Sequence, residues 1–398
     1  MTQSHSGHSP FQSRWRASLA SARVQALSFL LAPALLFIAT RPLVVTTDPD
    51  YWWHVRTGQY IYETGTLPRS DIYSYTSAGQ SWVTHEWLTE LLFYLGSRAG
   101  GYALLAAVFA VISGLTWLAI YAACRQRGMG EVGALLLMLW GFVMAAGSVN
   151  VRPQGITTLL LALCALILTR YRQGESKPLY LLPPLFALWV NLHGGYAIGL
   201  GLIALTVAGQ ALELWLRRTT VSLRPLLLAA VAALAATLLN PHGLTALTYP
   251  LSYASSGNAS MLYLSEWQSP DFHLPFFLIF AASLLVIMVV GLTRQPLGLV
   301  EALWAIAFAF LALRSGRNIA LYAVMVTPLV VRTPAGGAAG LPPHAARMAQ
   351  QEHSSNHLAG DHHRHPGLRP QGRRDHRPAN RPRANPNRLS GRGCAVPA

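Results

Sequence analysis

Apolar stretches close to membrane-crossing length alternate with short polar segments along this chain, and the alternation predicts an all-α polytopic membrane protein. About ten such stretches are expected, at 24–45, 101–123, 132–148, 155–169, 179–191, 195–215, 225–240, 275–293, 298–313 and 319–331. The stretch at 179–191 is short and carries Pro183-Pro184, so its limits are soft. Arg14, Arg16 and Arg23 precede the first stretch, as basic residues precede a signal-peptide core. That stretch is long, lacks a small-residue cleavage site and is followed by further spans. It reads as an uncleaved first helix behind a cytoplasmic segment, 1–23.

The polar segment 46–96 is the longest interruption of the pattern before residue 332. Asp48-Pro49 is a helix start, with Asp as N-cap and Pro in the first turn, and Gly65 is a stop. Trp52, Trp53, Tyr60 and Tyr62 suit a helix lying at headgroup level. Thr84 is the expected cap of a second surface helix carrying His85, Glu86, Leu88, Leu91, Leu92 and Leu95.

Composition agrees with the pattern. Charged residues are 11% and apolar ones 52%, against about 25% charged in a soluble globular chain. The net charge is +15, but from Arg332 onward eleven arginines face three acids. Most of the excess therefore belongs to the tail 332–398, and no nucleic-acid partner is expected. That tail is rich in Arg, Pro, His and Gly without periodicity, which predicts disorder. Its abrupt change of composition is what an out-of-frame reading of a GC-rich gene produces in place of a longer native C-terminus. Cys124, Cys164 and Cys394 are not placed for an extracytoplasmic disulfide.

The basic residues set the orientation. With the N-terminus in the cytoplasm, twelve Lys and Arg before the tail fall inside and seven outside. The same choice puts the loop 46–96 outside, together with NVRPQ at 150–154, NLHGG at 191–195, NPHG at 240–243, SEWQSPDFH at 265–273 and RSGRN at 314–318. Ionisable groups near a bundle interior are costly, so gathering them on one face points to function there.

Asp50 and His54, four apart, share a helix face, and Asp48 does not. Asp48 has two readings, N-cap and catalytic carboxylate. Asp50, His54 and Glu86 are candidate acid/base groups, with a helix-dipole role as the plainer reading of Glu86. His85 is a second proton-transfer or ligand candidate beside Glu86. Arg152, Arg314 and Arg317 are outer-side cations suited to a phosphate, or to snorkelling at headgroups. His193 reads as a substrate contact, and His242 reads first as part of a turn. Glu266-Trp267 pairs a carboxylate with an aromatic platform suited to a sugar.

A first span, an outer loop with DPDYWWH and two surface helices, then many spans with short outer motifs, together resemble the GT-C superfamily of membrane glycosyltransferases over about 24–331. The resemblance is greatest to the branch of protein mannosyltransferases and bacterial lipid-A or arabinose transferases. It implies a polyprenyl-phosphate-sugar donor, a lipid, glycan or protein acceptor, and inverting transfer on the extracytoplasmic face of the bacterial cytoplasmic membrane. It also implies that the first outer loop supplies the catalytic carboxylate, which maps onto Asp50 with Asp48 as alternative. Some members hold Mg or Mn at an Asp-x-Asp pair, here Asp48 and Asp50, and others hold none. Relatives often carry more spans or a soluble outer domain at the C-terminus, where this chain has its tail. The rival readings are a secondary transporter, disfavoured by the lack of repeats, and a non-catalytic membrane assembly protein. If the site is real, Asp50, Glu86, His193 and Arg317 converge on one place at the outer rim.

Overall fold

The structure is a computed structural model that describes residues 48–252, 263–292 and 297–331. The first expected span, the segment 1–23, Arg294 and the tail 332–398 lie outside the described residues. Among the described residues every regular element is helical, and the β-type pairing is an isolated bridge between Ser70 and Ser81. The α-helices are α1 Pro49–Thr64, α2 Trp87–Gln126, α3 Glu131–Ala145, α4 Gln154–Arg172, α5 Leu182–Leu192, α6 Tyr196–Trp215, α7 Arg224–Ala236, α8 Thr245–Ser252, α9 Pro275–Gly291, α10 Leu299–Arg314 and α11 Ile319–Val326.

Among the described residues, four helical segments are long and apolar enough to cross a membrane: α2, α3 with its continuation to Ser148, α4 and α6. The other expected spans among the described residues are shorter. Helices α5, α7, α9 and α10 have 11, 13, 17 and 16 residues. They rise roughly 16–26 Å, less than a hydrocarbon core of about 30 Å. Pro183 and Pro184 do not break α5: they occupy its first turn, where missing N–H groups cost nothing. Exposed apolar side chains run along the long helices, among them Val108, Val111, Leu115, Leu136 and Val143. An apolar outer face of this kind suits lipid contact.

Helix α1 starts and stops where its caps place it. The Asp48 carboxylate accepts the Asp50 N–H at 3.1 Å, and Gly65, at φ +64°, donates its N–H to Ile61. The expected second surface helix and the span after it form one element, α2, bent at Gly100 and Gly101. Gly101 takes φ +64°, which a side chain would disfavour. Thr84 is not its cap. The Thr84 hydroxyl donates instead to the Pro68 carbonyl at 2.8 Å, and α2 begins after Glu86, whose side chain makes no cap bond.

Helix α11 is the centre of the bundle, with all eight residues buried. It packs against α2, α3, α4 and α10. A buried polar tip in such surroundings must be paired. The Trp304 indole donates to the Thr206 hydroxyl at 3.1 Å, and Tyr322 meets Ser283 at 3.2 Å. A smaller core of Tyr51, Phe93, Leu105, Phe109 and Val151 fixes α1 against α2 and the start of α4.

Candidate functional site

The segment 65–86 closes over α1. Asp71 accepts from the Tyr73 and Ser74 N–H groups at 2.8 and 2.9 Å and from the Ser74 hydroxyl at 2.5 Å. These bonds hold its carboxyl below the usual range. The turn presents Tyr73 and Trp82 to Trp53, with ring centroids 4.8 and 5.4 Å away. That contact anchors the loop to α1, and the loop ends in His85 and Glu86.

One network gathers around Arg152. Its guanidinium forms ion pairs with Asp48, with Asp50 at 2.5 Å and with Glu266 at 2.7 Å. The three carboxylates keep it charged despite burial, which works the other way. Asn150 donates to Asp48 at 3.2 Å. Glu266 also meets Arg317 at 3.2 Å, and Gln154 donates to the Arg317 carbonyl at 3.2 Å. The Arg317 guanidinium lies 4.1 Å over the Trp267 ring. One face of the expected sugar platform is therefore taken by a cation.

A second network centres on Glu86. Its carboxylate lies 3.1 Å from His85 Nε2, 3.4 Å from His193 Nε2 and 3.8 Å from His54 Nδ1. His54 Nδ1 is also 3.6 Å from Glu90. The partners of the other ring nitrogens assign the tautomers. His193 Nδ1 accepts the Gly195 N–H at 2.9 Å. Because that nitrogen is an acceptor, the Thr157 hydroxyl 2.7 Å away donates to it, and the same hydroxyl accepts the Trp189 N–H at 3.0 Å. His193 is thus the Nε2–H tautomer, with its proton aimed at Glu86. His85 Nδ1 faces the Val83 carbonyl at 3.3 Å and so carries the proton. His242 Nε2 donates to the Thr84 carbonyl at 3.0 Å.

Burial and charge reinforce these assignments. Burial pushes His193 down to about 4, and Arg317 and His85 add to the shift against the pull of Glu86. Burial alone would raise the Glu86 carboxyl, but His193, His85 and His54 outweigh it and hold it well below its ordinary value. His54 is raised: burial works against its charge, and the carboxylates of Glu90 and Glu86 prevail. Burial lowers His242, and Arg69 and His85 assist.

The glycines of NLHGG have a steric reason. A Cβ on Gly195 would lie 2.3 Å from the Thr157 hydroxyl oxygen, and one on Gly194 would lie 3.1 Å from the His85 ring. Asn191 of the same motif holds α2, accepting the Trp87 indole N–H at 2.8 Å and donating to Leu239 at 2.8 Å. In NPHG, Asn240 accepts the His242 N–H at 2.7 Å, which is the expected turn. Its ring does more than the turn reading allowed, by clamping the loop that carries His85. Thr157→Val is expected to cost about 1–3 kcal/mol, because it leaves the buried Trp189 N–H unpaired. Thr157→Ser should recover most of that. Chemical unfolding in detergent micelles measures both, and equal stability of the valine variant and the native chain would refute the hydrogen-bond chain.

The structure therefore brings together Asp48, Asp50, Arg152, Glu266, Trp267 and Arg317 in one network, and His54, His85, Glu86 and His193 in another. Helix α1 joins them, with Asp50 and His54 one turn apart. The two do not pair: Asp50 goes to Arg152, and His54 to Glu86 and Glu90. Arg314 is exposed at the end of α10, outside both networks. Asp48 and Asp50 do not fit a divalent ion in this geometry, because the Arg152 guanidinium supplies the positive charge between them. Glu90 and Thr157 are the residues that sequence reasoning missed. The four-residue step from Glu86 to Glu90 was the available signal for the first.

The opposite ends of the helices carry ion pairs of another kind: Arg127 with Glu301, Arg172 with Glu213 at 3.1 Å and Arg125 with Glu131 at 3.8 Å. Each ties two helical segments together without a histidine or an open acid. A small cavity of about 30 Å³ lies beside Asn150, Ser113 and Thr158. No protein-family model matches the chain, and comparison with curated proteins finds no match.

Proposed function

We propose that the chain is an inverting glycosyltransferase that moves a sugar from a polyprenyl-phosphate donor to an acceptor hydroxyl. The reading places it in the bacterial cytoplasmic membrane with the N-terminus inside. The shorter apolar helices then complete a bundle of about ten spans, and both networks face the extracytoplasmic side. One observation carries the reading: residues 48–50, 152, 266–267 and 317, far apart in sequence, meet as carboxylates, guanidinium groups and an aromatic ring at one end of the helices. Two guanidinium groups suit a leaving phosphate, and a carboxylate beside them suits a general base.

In this mechanism the donor phosphate takes Arg152 and Arg317 from their acidic partners. Asp50, exposed on the first turn of α1, is thereby released to accept a proton. The acceptor oxygen bonds to the anomeric carbon as the bond from that carbon to the phosphate oxygen breaks. The phosphate leaves with the electron pair, and the acceptor proton passes to Asp50. Attack comes from the face opposite the leaving group, which inverts the anomeric centre.

The test is transfer from labelled polyprenyl-phosphate sugars in membranes holding the native chain or Asp50→Asn. Loss of about 100-fold or more is expected, the usual contribution of a general base. Undiminished transfer by Asp50→Asn would remove Asp50 from the mechanism. Absence of transfer by the native chain with every donor would move the choice to a transporter or an assembly protein.

A further inference from the structure

We infer that the basic end of the bundle, opposite the two networks, is a site for the phosphate headgroup of an anionic glycerophospholipid. The inference rests on the membrane reading of the apolar helices and stands whether or not the chain is a transferase. Three segments build the site. Helix α4 ends in Arg170 and Arg172, the one-turn helix Lys177–Leu181 packs against α4 and α7, and the turn 216–223 joins α6 to α7. Polar contacts hold these segments together. The Tyr171 hydroxyl donates to the Ser222 carbonyl at 2.8 Å, and the Gln210 amide donates to the Val221 carbonyl at 2.9 Å. Arg172 pairs with Glu213 at 3.1 Å. The fold thereby gathers Arg170, Lys177, Arg217, Arg218 and Arg224 at one end, all of them exposed. None of the five makes an ion pair among the described residues. The acids of these segments are Glu213, already taken by Arg172, and the exposed Glu175.

Arg217 is an independent observation. Among the described residues it alone of the non-glycine residues has positive φ, at +55°. Its N–H donates to the Leu214 carbonyl at 3.0 Å, and the Arg218 N–H donates to the Glu213 carbonyl at 2.7 Å. These are the two bonds of a Schellman cap, and Arg217 holds the position where glycine is usual. A side chain is disfavoured there because its Cβ crowds the following carbonyl oxygen. After α2 and α4 the corresponding positions are Gly128 and Gly174, at φ +88° and +95°. Helix α6 therefore accepts backbone strain at the residue that sets a guanidinium beside Arg218. Strain of this kind persists where a function retains it.

The neighbours select a lipid over a soluble anion. The last turn of α6 exposes Leu212 and Trp215, and the first turn of α7 exposes Leu227 and Leu228. Trp215 is 76% exposed and Tyr180 82%. Such rings sit at headgroup level, with aliphatic side chains toward the acyl region and cations toward the phosphate. Guanidinium groups grip a phosphate through parallel N–H donors. Free phosphate would use the cations and leave the apolar rim bare.

The test uses the full chain in neutral detergent, titrated with phosphatidylglycerol, with phosphatidylcholine and with inorganic phosphate. The melting midpoint is followed for all three, and acyl-brominated forms of the two lipids quench tryptophan. The Trp215 signal is the difference between each chain and its Trp215→Phe partner. Phosphatidylglycerol is expected to raise the midpoint and to quench Trp215 at a lower mole fraction than phosphatidylcholine, with a preference that shrinks as salt rises. Arg218→Gln and Arg224→Gln should each reduce that preference about five-fold. Arg217→Gly should lose as much preference while raising the midpoint in lipid-free detergent, because it relieves the backbone. The basic tail also attracts anionic lipid, and its share is the same in every variant. Equal quenching of Trp215 by the two lipids overturns the site. So does a preference unaltered by Arg217→Gln, Arg218→Gln and Arg224→Gln together, or an equal rise in midpoint with inorganic phosphate.

Discussion

Gly58→Ala is expected to destabilise the protein by about 3 kcal/mol and to pull the Glu86 network apart. Alanine is ordinarily the better helix residue by about 1 kcal/mol, so a stabilising change is the default in mid-helix. Here the added Cβ would lie 1.9 Å from the Glu90 carbonyl oxygen, 2.6 Å from its carbon and 2.9 Å from Tyr94 Cβ. Two of those atoms are backbone and cannot rotate away. Helix α1 must therefore back off from α2, and the clash outweighs the propensity gain. His54 sits one turn before Gly58, so the same movement carries its ring away from Glu90 and Glu86. The melting midpoint of the purified protein reads the first effect, and an undiminished midpoint would mean that α1 does not pack this closely.

Arg152→Met is expected to cost about 2–3 kcal/mol and to abolish any activity that depends on Asp50. Removing one partner of a buried ion pair costs about 3–5 kcal/mol, because it strands the other charge. Arg152 and Asp48 are largely covered, but Asp50 is 54% exposed, so its share is screened by solvent and the total falls below that range. The methionine keeps the packing of the stem and removes the fork. Asp48 and Asp50 then lose their cation, and Glu266 keeps only Arg317 at 3.2 Å. Glu266→Gln should recover part of the loss when added to Arg152→Met, and a double-mutant cycle isolates that coupling. Arg152→Lys should recover less than the charge count suggests, because an ammonium cannot span three carboxylates as a guanidinium does. Native-like stability of Arg152→Met in detergent unfolding would show that the network is a surface feature.

The parts of this site that were legible in the sequence are those set by local rules. Asp48-Pro49 and Gly65 bracket α1 because capping is decided within a few residues. The choice of orientation from basic residues grouped 50, 86, 152, 193, 242, 266 and 317 at one end, and contacts among them follow that grouping. Pairing was not legible. The spacing of Asp50 and His54 put them on one side of α1, but it could not say that the partners would be Arg152, a hundred residues on, and Glu86 and Glu90 at the start of α2. Thr84 was misread as a cap because its rival acceptor, the Pro68 carbonyl, is reached only once the loop folds back. The acids opposite Arg127 and Arg172, Glu301 and Glu213, lie inside apolar runs, where spacing alone names no partner.

The bend at Gly100 and Gly101 divides α2 into a stretch that begins just after Glu86 and carries Glu90, and a stretch that runs through the bundle. Bilayers differ in thickness, and a long apolar helix answers a mismatch by tilting. A straight 40-residue rod would transmit such a tilt to its far end, swinging Glu86 across the histidines. With two residues outside helical geometry about a third of the way along, the longer stretch can change its angle while the shorter one stays with α1. A change of bilayer thickness is then taken up by the longer stretch and leaves the contacts of Glu86 and Glu90 in place.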